Sequence, residues 1–233
     1  MSLPSLLECF YGIPRVGSFR LSDGGGPFGF DITVAHQVEH MIREGELDGI
    51  VETGSFVGDT LEYLGRRYPW LPVVGIEIDP DYAAVARRRT DDLANVEVRV
   101  GDSAELLADS LRVLRRPLVY LDAHWGEDWP LAAELGAINR GFIAVDDVDI
   151  ADPRFGYDQY GDVRLDPDLL RVLRPDLEWY VGAPRADYPH PCLQVGRRTG
   201  TAYAAAGGVD PDVLAHTWFT RPWASQRLQG TAS

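Results

Sequence analysis

The chain has 233 residues, 45% hydrophobic and 25% charged, with a formal net charge of −14. That length gives one larger domain with a substantial core, and the acidity argues against a nucleic-acid footprint, which needs a basic stripe to release counterions. No apolar run approaches a membrane span, no basic leader precedes Glu8, and Cys9 and Cys192 are too few and too far apart for a disulfide framework or a thiolate metal cluster, so a cytoplasmic protein is expected.

Residues 1–30 are rich in Gly, Pro and Ser (LSDGGGPFGF) and read as an irregular arm, long enough to reach a neighbour in a homodimer. Ile32, Ala35, Val38, Met41 and Ile42 recur at helical spacing, and Gly45 is the stop. An alternation then begins. LDGIVET, PVVGIEID, VEVRVGD, PLVYLDAH and GFIAVDD predict strands, and residues 59–68, 80–89, 104–114 and 129–139 predict the helices between them. The arginines at 87–89, 112, 115 and 116 fall on these helices and read as solvated faces. Short Val/Ile-rich strands separated by helical lengths are βαβ units. The expected fold class is α/β, a doubly wound, mostly parallel sheet covered on both faces. Beyond it, residues 169–173 predict a helix, and LEWYVG and CLQVGRR predict two strands, an antiparallel pair at the sheet edge. The main domain thus runs over 31–198. Residues 199–233, Ala/Gly-rich with scattered aromatics, form a C-terminal extension with no legible element.

In open parallel sheets, ligands bind beyond the carboxyl ends of the strands. Five strands in succession end in acids: Glu52, Glu77 with Asp79, Asp102, Asp122, and Asp146 with Asp147. One such acid is an ordinary helix cap; five make a negative rim. In VETGSFVGDT, Gly54 permits a tight turn and Gly58 lets the backbone approach a ligand. The helix from Asp59 offers free N–H groups and a positive dipole end. A dinucleotide pyrophosphate would be repelled by Glu52, and Phe56 stands where the dinucleotide fingerprint has its second glycine. A ligand carrying ammonium, sulfonium and carboxylate together suits both signs of charge, as S-adenosylmethionine does. Glu77 then suits the ribose hydroxyls, and Asp102 with Ser103 the adenine amino group.

The segments VETGSFVGDT, VVGIEIDPDYAAVA, VRVGDSAELL and LVYLDAHW resemble, in order and spacing, the first four motifs of class I S-adenosylmethionine-dependent methyltransferases. The resemblance implies a Rossmann-like methyltransferase fold and cofactor contacts at Glu52, Gly54, Ser55, Phe56 and Gly58, at Glu77 and Ile78, and at Asp102, Ser103 and Asp122. Phe56 departs from the glycine that many members have there.

Asp122, Asp146 and Asp147 end neighbouring strands and can make an all-oxygen site, which favours Mg²⁺, Mn²⁺ or Ca²⁺ over zinc. Such an ion would bind substrate oxygens and lower a hydroxyl's pKa. His124 would take the proton, with Asp122 beside it as the second catalytic residue. DAHWGEDWPLAAELGAINRGFIAVDDV is similar to the pattern of metal-dependent O-methyltransferases of natural-product and sugar tailoring, which implies a small-molecule hydroxyl, a sugar or a phenol, as methyl acceptor. The alternative places Asp122 in the methyl-donor pocket and leaves the Asp pair as a loop cap; a nitrogen acceptor would need no metal. DIADPRFGYDQYGDVRLDPD follows as a substrate loop whose Phe155, Tyr157 and Tyr160 could stack on a ring, or as a surface loop packing its own aromatics. Trp125 and Trp129 line a pocket or pack in the core.

Two other classes compete. HQVEH, His36 to His40, matches the H-x-x-E-H zinc-peptidase pattern, but the apolar face of its helix leaves both histidines on the polar side. A non-catalytic protein that keeps the nucleotide pocket is the third reading.

Overall fold

The computed structural model describes residues 5–123 and 129–223. The arm is not wholly irregular. Ser5 and Glu8 form a capping box that starts α1 (Leu6–Gly12), which buries Leu6, Cys9 and Phe10. Two turns are too short for periodicity to show in sequence. A 3₁₀ turn (Pro27–Phe30) leads to α2 (Ile32–Glu44), capped by the Asp31 side chain on the Thr33 N–H.

The alternation then runs as expected: β1 (Gly49–Thr53), α3 (Asp59–Arg67), β2 (Val73–Glu77), α4 (Pro80–Arg89), β3 (Val96–Val100), α5 (Ser103–Leu111), β4 (Pro117–Leu121), α6 (Leu131–Ala137) and β5 (Phe142–Val148). Charge follows the helix dipole. Asp59 and Glu62 open α3 and Arg66 and Arg67 close it; Asp79 caps α4, which Arg87, Arg88 and Arg89 close. Three two-residue strands follow, β6 (Phe155–Gly156), β7 (Gln159–Tyr160) and β8 (Val163–Arg164), then α7 (Pro167–Leu173), β9 (Trp179–Gly182), β10 (Arg198–Ala205), α8 (Asp212–Ala215) and β11 (Thr220–Pro222).

The sheet order is β3-β2-β1-β4-β5-β10-β9-β11. The first five strands are mutually parallel; β10, β9 and β11 each pair antiparallel with the strand before them in that order. This is the expected doubly wound α/β class with antiparallel strands toward one edge. One strand differs. CLQVGRR is irregular up to Arg197, and the strand is β10, in the stretch that carried no legible element. It does not lie at an edge but between β5 and β9, with Ala202, Tyr203 and Ala204 fully buried. Crowding explains its composition: a side chain at Gly200 would strike the Val148 carbonyl and Ile150. Gly and Ala are poor strand formers, so close packing erased the usual signal.

The strands carry two cores. Ile50, Tyr120, Ala144 and Tyr203 pack on one face with Phe10, Val38 and Leu61 from α1, α2 and α3. Val51, Val119, Val145 and Trp179 pack on the other with Leu107, Leu135 and Leu170 from α5, α6 and α7.

Candidate functional site

The chain runs outward from β1 through β2 to β3, then returns to β4 on the opposite side of β1. The carboxyl ends of β1 and β4 therefore flank a topological switch point, where this class of sheet leaves a crevice. Glu52 lies there, opposite Tyr120 in the β1–β4 register. It is 2% exposed, and its Oε2 makes no hydrogen bond. Burial pushes its pKa up to about 8; the charges of Asp59, Glu77 and Asp146 add to this, and the Thr60 hydroxyl opposes it. A buried carboxylate with an idle oxygen is a receptor for a cation.

The turn after β1 is fixed on both sides. The N–H groups of Gly54 and Ser55 bond the Ile76 carbonyl at 2.9 and 3.2 Å. Gly54 has φ +70°, and a Cβ there would strike the Asp122 carbonyl, so only glycine fits. Phe56 keeps the left-handed conformation (φ +46°) despite its side chain. Its N–H donates to Glu77 Oε2 at 2.7 Å, and its half-exposed ring meets Tyr82 edge-on at 4.4 Å. Gly58, left-handed at φ +83°, caps α3 without a side chain, so the cap itself supplies no acceptor for the first N–H groups of that helix. Its missing side chain also lets α4 pack close, since a Cβ there would meet Ala86 at 2.9 Å. Ser55 is buried, its Oγ without a partner.

Glu77 is buried and also accepts from Asp79 N–H at 2.9 Å through Oε1. Each oxygen keeps acceptor capacity beyond that one bond. Asp102 is exposed and caps α5 through Ala104 N–H at 2.8 Å. Ser103 is buried with an unpartnered Oγ. Ile78, 68% exposed, stands with half-exposed Tyr82 and Val100 around the ends of β2 and β3 as an apolar rim. Nothing local in the sequence marked Glu134, which α6 buries completely and whose pKa is raised by desolvation.

The acidic pair sits on a β-bulge. Val148 pairs with Gly200 and Val145 with Ala202, so Asp146 and Asp147 together oppose Thr201. Asp147 takes φ +54° to make this turn. Consecutive strand residues normally point to opposite faces; the bulge re-aims them, and both carboxylates act on Asp122, whose pKa is held well above the usual range chiefly by burial. Asp147 is pushed up to about 7 by burial and by the charges of Asp146 and Asp158, with Arg197 and Thr199 opposing. Asp146 Oδ1 accepts from Thr201 and, at longer range, Thr199, at 3.1 and 3.4 Å.

The metal expectation finds no support here. Among the described residues, no three His, Cys, Asp or Glu side chains converge as an ion's ligands. Asp122, Asp146 and Asp147 are electrostatic neighbours, and Asp146 gives one of its two oxygens to the β10 hydroxyls. His124 and Trp125 lie outside the described residues.

No protein-family model matches the chain, and no curated protein matches it in sequence. Solved structures do match in shape. A Klebsiella pneumoniae protein proposed to be an O-methyltransferase superposes with a TM-score of 0.52 at 18% identity, over 86% of this chain and 87% of that one. The methyltransferase domain of bacterial CtHen1 gives 0.52 at 10%, over 77% and 99%. TomG, the Streptomyces achromogenes O-methyltransferase involved in tomaymycin synthesis, solved with SAM, gives 0.50 at 20%, over 75% and 79%. The chain has the class I methyltransferase fold.

Within that fold, the N-terminal arm closes one side of the crevice. Gly26 N–H donates to Asp59 at 2.6 Å and Phe28 N–H to the Thr60 hydroxyl at 3.2 Å. Arg89 ties the arm down, reaching Asp59, Glu62, and the carbonyls of Pro14 and Val57. It is not the solvated arginine expected of its cluster. A small cleft beside Asp146 is lined by Asp31, Gln37, Phe155, Thr199 and Thr201. HQVEH gives no zinc site among the described residues. His36 is buried rather than solvated, stacked on His190 with nitrogens 3.1 Å apart, and His40 bonds the Val213 carbonyl at 3.0 Å.

Proposed function

We propose that the protein is an S-adenosylmethionine-dependent methyltransferase acting on a small molecule. One observation carries this: Glu52, buried and with an idle oxygen, lies at the switch point beside the uncapped N-terminus of α3. The pair supplies an acceptor for the ammonium and sulfonium end and N–H donors for the carboxylate. Glu77 would hold the ribose hydroxyls, Ile78 and Ser103 would flank the adenine, and Gly54 keeps the turn close against β4. When bound, the cofactor supplies an electrophilic methyl group; the protein's part is alignment and exclusion of water. Among the described residues no set of side chains gathers as a metal's ligands, and a nitrogen acceptor is the case that needs no metal. The free thiols of Cys9 and Cys192 fit a reducing cytoplasm.

Calorimetric titration with S-adenosylmethionine, S-adenosylhomocysteine and NAD tests the proposal. The first two are expected to bind and NAD is not. Glu52→Gln should weaken S-adenosylmethionine by about tenfold or more. Binding of NAD alone, or of none of the three, refutes it.

A further inference from the structure

The acceptor side of the site carries almost one sign of charge. Glu52, Tyr120 and Ala144 form one row across β1, β4 and β5. Asp146, two residues beyond Ala144, shares their face, and Asp122, two beyond Tyr120, adjoins it. The bulge brings Asp147 to the same mouth. Asp158 completes it, its N–H bonded to the Asp147 carbonyl at 2.9 Å and its carboxylate taking the Tyr160 hydroxyl at 3.1 Å. Trp129 meets Tyr160 edge-on at 4.8 Å, which adds an aromatic wall.

Little positive charge answers these acids. Arg198 is held by Asp31 at 2.6 and 3.0 Å, and Arg164 by Asp149. Arg197 reaches Asp158 at 3.7 Å from an exposed position. One further polar atom on the same face, Tyr120 Oη, is buried without a hydrogen bond. Carboxylates and aromatic faces together are the chemistry that recognises an organic cation.

We propose that the methyl acceptor is an amine that is protonated in solution, and that Asp146, Asp147 and Asp158 bind its nitrogen while Trp129 and Tyr160 flank its carbon frame; this rests on the cofactor assignment above. An anionic acceptor would be repelled, and a neutral alcohol would leave the acids unanswered. For transfer, the nitrogen gives up one proton to solvent and its freed lone pair forms the N–CH₃ bond. The electron pair of the breaking C–S bond stays on sulfur, which becomes a neutral thioether.

Three probes with one ring and three charge states decide this. The protein, saturated with S-adenosylhomocysteine, is titrated with benzylamine, benzyl alcohol and benzoate. Benzylamine should bind at least about tenfold tighter than the alcohol, and benzoate should not bind. In the Asp147→Asn/Asp158→Asn double variant the preference should vanish, while retained S-adenosylhomocysteine binding reports an intact fold. If the double variant fails to fold, the wild-type ranking alone decides. No binding of benzylamine, equal binding of the alcohol, binding of benzoate, or a preference that survives in a folded double variant overturns the amine proposal and leaves the cofactor assignment standing. Failure of S-adenosylhomocysteine itself to bind overturns both.

Discussion

Glu52 shows how far a single residue can be taken from sequence. Its place at the end of an apolar strand, before a glycine turn, was legible, and so was its negative charge among neighbours of the same sign. Its protonation was not legible, because that depends on depth. Burial keeps Glu52 protonated up to about 8, against 4.5 for the ordinary group. The unfolded chain therefore ionises at lower pH, and the folded state loses stability as pH rises between those values. Asp147, pushed up to about 7, acts with the same sign. His36, lowered to about 4 by burial and by His190, acts oppositely, but below its ordinary 6.5. Between pH 6.5 and 8 the acids act alone. The melting temperature of the ligand-free protein should fall across that window, and Glu52→Gln should flatten the fall. Scanning calorimetry at several pH values checks this; an unchanged slope in the variant would refute the assignment. Phe56 was legible only as a departure from glycine, whereas the structure shows that the left-handed turn survives, held by the bond from its N–H to Glu77.

At the scale of elements, strands and helices with strong local signals stood where their residues put them. Asp79-Pro80 opens α4, and the Val/Ile runs give β1 to β5. What failed was an element whose composition answers to its neighbours. β10 is small-residue chain squeezed between two strands, and nothing local marks it. The bulge on β5 was equally hidden, since Asp-Asp reads as a cap until its partner strand is known. β10 is also pinned from outside: Arg198 at its start bonds Asp31, which caps α2. Asp31→Ala removes a cap and leaves a half-buried guanidinium without its carboxylate. A loss of about 3 kcal/mol is expected in urea unfolding; a change under about 1 kcal/mol would show that the pair is replaceable.

For the whole molecule, the doubly wound class followed from alternation and handedness, whereas the strand order and the switch point between β1 and β4 came only with the structure. The arm's docking was likewise hidden, because it depends on a long-range arginine. Arg89 joins α4, α3 and the segment near Pro14. Arg89→Ala should release residues 14–25, which include Arg15 and Arg20, and limited trypsin digestion should cut there several-fold faster. An unchanged cleavage rate would mean that the arm's other bonds, from Gly26 and Phe28 and to Gln194 and Val195, hold it without Arg89.

The two outer strands of the sheet have a consequence for crowding. β3 alternates Glu97 and Arg99 along its five residues, and β11 is three residues long and ends in Pro222, which has no N–H to offer. Both rims thus resist templating another chain's backbone, the usual route by which open sheets polymerise. Among the described residues, pairing of a second copy along either of these two edges is disfavoured.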